Sequence, residues 1–475
     1  MLAMPAISSH VTRFAPSPSG ALHLGNARTA LFSFLAARAG GGRFVLRVED
    51  TDAERSNDAM LDRQLEELRW LGIEWDEGPD VGGPHGPYRQ SERAEFYAAS
   101  IGRLADRGLT YPCFCTPEEL QFSRKAQLAA GRPPRYARTC ANLGPEEVAK
   151  RLASGRVAAT RFRVPDHRVV EFDDLIHGPQ RFLTDDIGDF VVRRADGSVS
   201  FFLGNALDDS AMGITLVLRG DDHLANTPRQ LLLLEALDMR QPGYGHLPLV
   251  LTPGGSPLSK RDGAASLTDL RDQGYLPGAL RNYLLRLGHS IDRDGWLTLD
   301  EAIAGFDIRR TSRSAARFDE MQLRHWQRES IVHASDDELE RWLGSRLDVL
   351  GDDAQRHAFV TAVRGNVLWP HDVEALIDMV TQQEVAVADD ASAQIAEAGP
   401  DYFDNARRLY TDDFKGWTRA LGLATGRKGA RLFMPLRSAL TGETHGPELA
   451  PLVQLMGAER AFVRLEYARR LASGR

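Results

Sequence analysis

Short apolar runs and one long helical stretch set the order of the N-terminal third. Val11 to Ala15 is a strand candidate, and a turn rich in proline and glycine (Pro16, Pro18, Gly20) follows it. From about Asn26 to Ala39, residues Ala27, Leu31, Phe34, Leu35 and Arg38 fall at helical spacing, which predicts a helix with one apolar side. Gly40, Gly41 and Gly42 supply its end. Arg43 to Val48 reads as the next strand, with Glu49-Asp50-Thr51-Asp52 at its C-terminal end. Strand, helix and strand within about 40 residues make a βαβ unit. A loop rich in glycine and proline, Glu77 to Pro87, closes this section. Residues 90–200 mix helical segments with short strands. A further strand is expected at Ile214 to Leu218 and a helix around Pro228 to Leu237. From about residue 330 the pattern is helical. The expected fold class is therefore multidomain α/β with a parallel sheet, followed by an all-α C-terminal region.

Composition changes this picture little. At roughly 150 residues per domain, 475 residues suggest about three domains. An apolar fraction of 43%, a charged fraction of 26% and a mean hydropathy of −0.32 exclude a disordered or collagen-like chain. No window nears about 18 uninterrupted apolar residues, so no membrane span is expected. Met1 to Ser9 has neither a basic residue nor a sustained apolar stretch, so no signal peptide is expected. Three cysteines cannot build a disulfide framework and fit a reducing cytoplasm. The formal charge is −8, yet two local basic clusters stand out. Arg309 to Arg328 holds six arginines against Asp319 and Glu320, and Gly426 to Arg437 holds Arg427, Lys428, Arg431 and Arg437 with no acid. Phosphate binding and a solvated helix face are both open readings of each.

Two segments carry candidate chemistry. Pro16-Ser17-Pro18-Ser19-Gly20-Ala21-Leu22-His23-Leu24-Gly25-Asn26 lies between the first strand and its helix, where glycines admit a ligand to the backbone and the helix N-terminus favours phosphate. His23 there is either a phosphate donor or a helix cap. Pro257-Leu258-Ser259-Lys260-Arg261, after Pro253-Gly254-Gly255, puts adjacent cations on a loop suited to a pyrophosphate leaving group.

Together these segments resemble the HIGH and KMSKS signatures of class I aminoacyl-tRNA synthetases. Thr12 to Pro18, Val48 to Asp52, Gly86 to Arg93, Leu218 to His223 and the late Pro435 to Gly442 are similar to the bacterial glutamyl-tRNA synthetase family. The resemblance covers nearly the whole chain. It implies ATP-dependent activation of L-glutamate to glutamyl-adenylate, with Mg2+ accompanying ATP, and transfer to the terminal adenosine of tRNA(Glu). A form that also charges tRNA(Gln) is the alternative.

The resemblance implies roles residue by residue. His23 and Lys260 would be catalytic, with Gly25, Ser259 and Arg261 joining them at ATP. Arg13, Ala15, Ser17, Glu49, Phe201, Asn205 and Arg219 would bind glutamate, the two arginines taking its carboxylates and Glu49 its α-ammonium. The second histidine of HIGH is Asn26, the leading lysine of KMSKS is Pro257, and Phe201 stands where the family often has tyrosine. The implied domain plan is a split catalytic domain (1–90 and 200–252), an inserted acceptor-arm domain (91–199), a KMSKS and stem-contact module (253–325) and an anticodon-binding region (326–475). A cytoplasmic monomer is expected.

The cysteines follow from the same resemblance. One residue separates Cys113 from Cys115, and 24 residues lie between Cys115 and Cys140. Zinc-containing relatives take a fourth ligand from a histidine two residues after the last cysteine, here Asn142, or from a tyrosine four residues before it, here Tyr136. A structural zinc on Cys113, Cys115, Tyr136 and Cys140 is expected, against three reduced cysteines without metal. Among rivals, the truncated paralogue that glutamylates queuosine lacks the residues beyond Arg324. A small HIGH-type nucleotidyltransferase needs only the βαβ core. A non-catalytic relative would have lost His23 or Lys260. Glutaminyl-tRNA synthetase carries C-terminal β-barrels, where this chain reads as helical.

Overall fold

The computed structural model describes residues 9–51, 57–258 and 266–474. It divides into two compact units, 1–270 with 280–323, and 271–279 with 324–475. In chain order the first unit carries β1 (Val11–Phe14), α1 (Leu24–Ala39), β2 (Arg43–Leu46), α2 (Asp58–Trp70), α3 (Ala94–Asp106), β3 (Thr110–Cys113), α4 (Pro117–Ala129), α5 (Pro145–Ala153), β4 (Ala159–Phe162), β5 (Val169–Asp174), β6 (Gly178–Leu183), α6 (Thr184–Ile187), β7 (Phe190–Arg193), α7 (Phe201–Ala211), β8 (Leu216–Gly220), α8 (Thr227–Ala236) and β9 (Gly243–Leu247).

Its main sheet is parallel at the centre. β1 pairs with β2 from Val11↔Arg43 to Phe14↔Leu46, and β8 pairs with β9 from Leu216↔Gly243 to Gly220↔Leu247. Thr215 joins the two pairs: its N–H donates to the Val11 carbonyl (2.8 Å), and its Oγ1 accepts from the Val11 N–H (2.9 Å). β1 therefore leaves toward β2 on one side and borders β8 on the other. Such a reversal opens a crevice at the C-terminal ends of the strands, where α/β sheets bind ligands. β5 adds to β9 in parallel at Asp174↔Tyr244 and continues into an antiparallel hairpin with β6. This hairpin, within the 91–199 span expected as an insertion, thus extends the main sheet. The rest of that span forms an antiparallel sheet in the order β3-β4-β7.

The expected amphipathic helix is instead buried almost all round. Ala27, Ala30, Phe32, Ser33, Leu35 and Ala37 of α1 are all buried, as is Arg28. A helix covered on every side needs no apolar stripe, and its single buried hydroxyl is satisfied locally, Ser33 Oγ donating to Thr29 O (2.8 Å).

The second unit is helical, with no strand among its described residues. Helices such as Asp336–Leu343, capped by a reciprocal Ser335–Glu338 pair, and Asp353–Val363 pack around Leu339, Phe359, Val360 and Ile377. Those from Asp389–Ala398 to Leu449–Ala472 enclose Phe403, Trp417, Leu436 and Leu465. Buried Arg464 donates to the Met379 carbonyl (2.7 Å) and to those of Leu440 and Gln382, satisfying acceptors that two helix ends leave open. Among the described residues no helix is long and apolar enough to cross a membrane.

Candidate active site

The ends of β1, β8 and β9 frame a cleft of about 590 Å³. Arg13, Ala15, Ser17, His23, Gly25, Glu49, Phe201, Asn205 and Arg219 all line it. Ser259, Lys260 and Arg261 lie outside the described residues. The chain on either side of them is at the cleft, however: Pro257 and Leu258 line it, and Ser266 forms a bridge with His23.

His23 is the N-cap of α1, so the two readings of this residue meet in one side chain. Its Nδ1 accepts from the N–H groups of Gly25 (3.1 Å) and Asn26 (3.3 Å). An accepting Nδ1 carries no proton, so the ring's N–H is at Nε2. The same cap occupies two N–H groups that a helix N-terminus would otherwise offer to phosphate. A Cβ on Gly25 would lie 3.1 Å from the His23 ring, so the glycine makes room for it.

Beneath the cleft lies a buried ionic network. Asp209 receives Arg13 Nε (2.9 Å) and Nη2 (3.4 Å) as well as Arg47 Nη1 (2.6 Å). Arg47 also reaches Glu49 (3.3 Å), whose Oε1 accepts from the Asn205 amide. Arg93 pairs with Asp208 at 2.7 Å. Burial alone would raise the Asp209 carboxyl, yet Arg13 and Arg47 hold it below its ordinary value. Glu49 goes the other way: burial pushes it up despite Arg47 and Arg13. The resemblance assigns a substrate carboxylate to Arg13, but the structure shows its fork already engaged by Asp209.

Arg219 is placed differently. Its Nε donates to His246 Nε2 (3.2 Å) and its Nη2 to Thr227 Oγ1 (2.8 Å), while Nη1 is buried without a hydrogen-bond partner. Burial pulls its guanidinium down to about 10, still cationic at neutral pH. Phe201 lines the cleft at the start of α7, whereas Phe202 packs on Phe190 with ring centroids 5.5 Å apart, which separates the two neighbours. Sequence reasoning misses Arg47, Asp208, Asp209 and His246. Arg47 alone leaves a signal, a charge inside an otherwise apolar strand run.

The cysteines converge elsewhere in the same unit. Cys115 Sγ is 3.7 Å from Cys140 Sγ, and the Tyr136 hydroxyl is 3.3 Å from Cys113 Sγ and 3.5 Å from Cys115 Sγ. Tetrahedral zinc with ordinary bond lengths requires about 3.8 Å between sulfurs and about 3.6 Å between sulfur and oxygen, which these three spacings match, and the three sulfurs lie within 4.8 Å of one another. Asn142 is exposed. Arg161 stacks on the Tyr136 ring at 3.7 Å, a cation beside a donor set that is anionic when it binds metal.

The basic clusters resolve unequally. The Arg309 to Arg328 run is divided between the two units, and Arg309 and Arg310 are in ion pairs with Asp307 and Asp292. In the second unit Arg427, Lys428 and Arg431 line a cleft of about 470 Å³ with Gln394 and Glu397.

Comparison with known proteins agrees with this geometry. The family model for the catalytic domain of class I tRNA synthetases (E and Q) matches residues 10–325, and the anticodon binding domain model matches residues 339–469. The chain is 52% identical over 460 residues to a protein of Nitrosococcus oceani named glutamate–tRNA ligase 2, covering 96% of this chain and 97% of that one. It is 50% identical over 465 residues to glutamate–tRNA ligase 1 of Halorhodospira halophila, covering 97% of each. A crystal structure of a glutamate tRNA ligase from Elizabethkingia meningosepticum in complex with its amino acid superposes with a TM-score of 0.86 at 29% identity, over 98% of this chain and 99% of that one. The chain belongs to the class I tRNA synthetases of the glutamate and glutamine group.

Proposed function

We propose that the protein is a glutamate–tRNA ligase, joining L-glutamate to the 3′ terminal adenosine of tRNA(Glu) with ATP as its Mg2+ complex. The buried guanidinium of Arg219 carries the reading: it lines the cleft, stays cationic at neutral pH and leaves Nη1 without a protein partner. The side-chain carboxylate of glutamate gives such a cation a charged partner, which the amide of glutamine does not. Arg219, through its unpaired Nη1, takes one substrate carboxylate. Glu49 takes the ammonium, which restores the charged form that burial opposes.

In the first step an α-carboxylate oxygen of glutamate attacks the α-phosphorus of ATP, and the bond to the bridging oxygen of pyrophosphate breaks. This displacement needs alignment and charge neutralisation more than a covalent nucleophile. His23 donates from Nε2 to a phosphate oxygen, and Lys260 stabilises charge on the departing pyrophosphate. The flanking residues support the Lys260 assignment, since Leu258 lines the cleft and Ser266 pairs with His23. A ribose hydroxyl of the terminal adenosine then attacks the glutamyl carbonyl carbon and AMP leaves. In the second unit, Arg427, Lys428 and Arg431 contact phosphates of the anticodon arm. A zinc held by Cys113, Cys115, Tyr136 and Cys140 cross-links the segment that bears them; the sulfur and oxygen spacings support it.

Exchange of labelled pyrophosphate into ATP, measured with tRNA(Glu) present, tests the activation step. L-Glutamate should drive exchange and L-glutamine should not. Exchange driven by glutamine, or by neither amino acid, overturns the proposal.

A further inference from the structure

The guanidinium of Arg219 is held from behind by a chain of buried groups. Asp174, the last residue of β5, takes His246 Nδ1 at 2.6 Å and also accepts the His246, Ile176 and His177 backbone N–H groups. With its proton donated to Asp174, His246 presents Nε2 as an acceptor. Arg219 Nε (3.2 Å) and the Thr227 hydroxyl (3.0 Å) both reach that nitrogen, and Thr227 Oγ1 in turn accepts from Arg219 Nη2. Tyr244 stacks beside the imidazole, 6.1 Å between centroids at 9°, and Arg219 sits over the same ring at 5.4 Å. Asp174 and His246 are fully buried and Arg219 is 6% exposed.

These contacts use Nε and one N–H of Nη2, and leave Nη1 without a hydrogen-bond partner. We infer that His246, oriented by Asp174, is a positioning residue that aims Arg219 Nη1 at the carboxylate of the amino-acid substrate and so sets affinity for an acidic amino acid. A guanidinium bonds a carboxylate well only in a fixed fork geometry, so a second contact that fixes its plane acts on substrate binding. A neutral imidazole suits the task because a protonated one would turn an N–H toward a cation. Burial keeps His246 below its ordinary value. β5 is the strand that joins the parallel sheet through β9, so the hairpin supplies the support for a residue on β8.

The inference rests on Arg219 being the carboxylate reader, and the test separates the two. Asparagine at 246 reaches Asp174 but falls short of Arg219; glutamine reaches Arg219. KM for L-glutamate, KM for ATP and kcat are measured for H246N, H246Q and R219K, with melting temperature as the control on folding. The expected result is a KM for glutamate raised about ten-fold in H246N, with kcat and ATP KM within two-fold, and largely restored in H246Q. If R219K raises the glutamate KM but H246N does not, the inference fails and the reading of Arg219 stands. If R219K leaves it unchanged, the reading itself fails. Equal losses in H246N and H246Q, with ATP KM rising in step, would make His246 a packing residue only and overturn the inference.

Discussion

Arg13 and Asp209 form a buried fork, Nε to Oδ1 at 2.9 Å and Nη2 to Oδ2 at 3.4 Å, with Arg47 on the same carboxylate at 2.6 Å. One aspartate on α7 thus binds the ends of β1 and β2 together under the cleft. Removing a partner from a buried pair leaves an uncompensated charge, which costs about 3–5 kcal/mol. Asp209→Ala should therefore lower the melting temperature strongly and reduce activity with it. A variant of normal stability would show that Glu49 and Asp208, which also face Arg47, balance the guanidiniums without Asp209.

Arg219→Ala isolates the substrate contact from this scaffold, because the ionic partners of Asp209 do not include it. KM for glutamate should rise by at least ten-fold while KM for ATP stays within about two-fold, the loss expected when a charged hydrogen bond to a ligand disappears. Steady-state kinetics in both substrates decide it. Equal effects on both would mean that the residue holds the fold.

At Gly25 two effects oppose one another in stability but not in function. Alanine is the better helix residue by roughly 0.5–1 kcal/mol. Its Cβ, however, would lie 3.1 Å from the His23 ring and press on the cap. Gly25→Ala should keep the melting temperature within a few degrees of wild type and raise the KM for ATP. An unchanged ATP KM would remove the His23 ring from the phosphate site.

Metal content tests the cysteine cluster. Protein prepared without chelator should carry about one zinc per chain, as four converging ligands imply. Tyr136→Phe should lose metal faster to a chelator, and Asn142→Ala should behave as wild type. Three freely titrating thiols and no zinc would retire the site.

Acid stability follows from His289, which stacks on Phe306 at 4.9 Å and shares a contact of 2.9 Å with the Asp307 carbonyl through Nε2. Burial lowers its pKa from 6.5. The unfolded chain therefore takes up this proton first as pH falls, so the residue's contribution is complete above about 6.5 and is lost below it. Glu49 and Asp208, whose carboxyls burial raises, act in the opposite sense, so the comparison is made against His289→Gln. Between pH 7.5 and 5.5 the melting temperature of wild type should fall relative to that variant. A constant difference would mean that His289 does not titrate differently on folding.

Much of this site is legible in the amino-acid sequence. Arg13, Glu49 and Arg219 come together because each lies at or just past the end of a parallel strand, where the sheet opens its crevice, and the first turns of α1 and α7 bring His23, Gly25, Phe201 and Asn205 to the same place. The family resemblance likewise points at Tyr136. What escapes a sequence reading is support from a distance. Asp174 and His246 are 72 residues apart and meet only because β5 joins β9 in parallel, a pairing with no local signal. Arg13 looks available in the sequence because Asp209, on another element, leaves no mark near it. The apolar stripe expected on α1 fails for a related reason: burial on all sides erases the periodicity that marks a half-exposed helix.

The most direct test of the account is aminoacylation of purified tRNA(Glu) and tRNA(Gln) with labelled L-glutamate and, separately, L-glutamine. The account predicts ATP-dependent attachment of glutamate to the 3′ terminal adenosine of tRNA(Glu), with one AMP and one pyrophosphate released per ester formed, and no attachment of glutamine to either tRNA. Charging with glutamine, or folded protein that consumes no ATP with glutamate and tRNA(Glu), would contradict it.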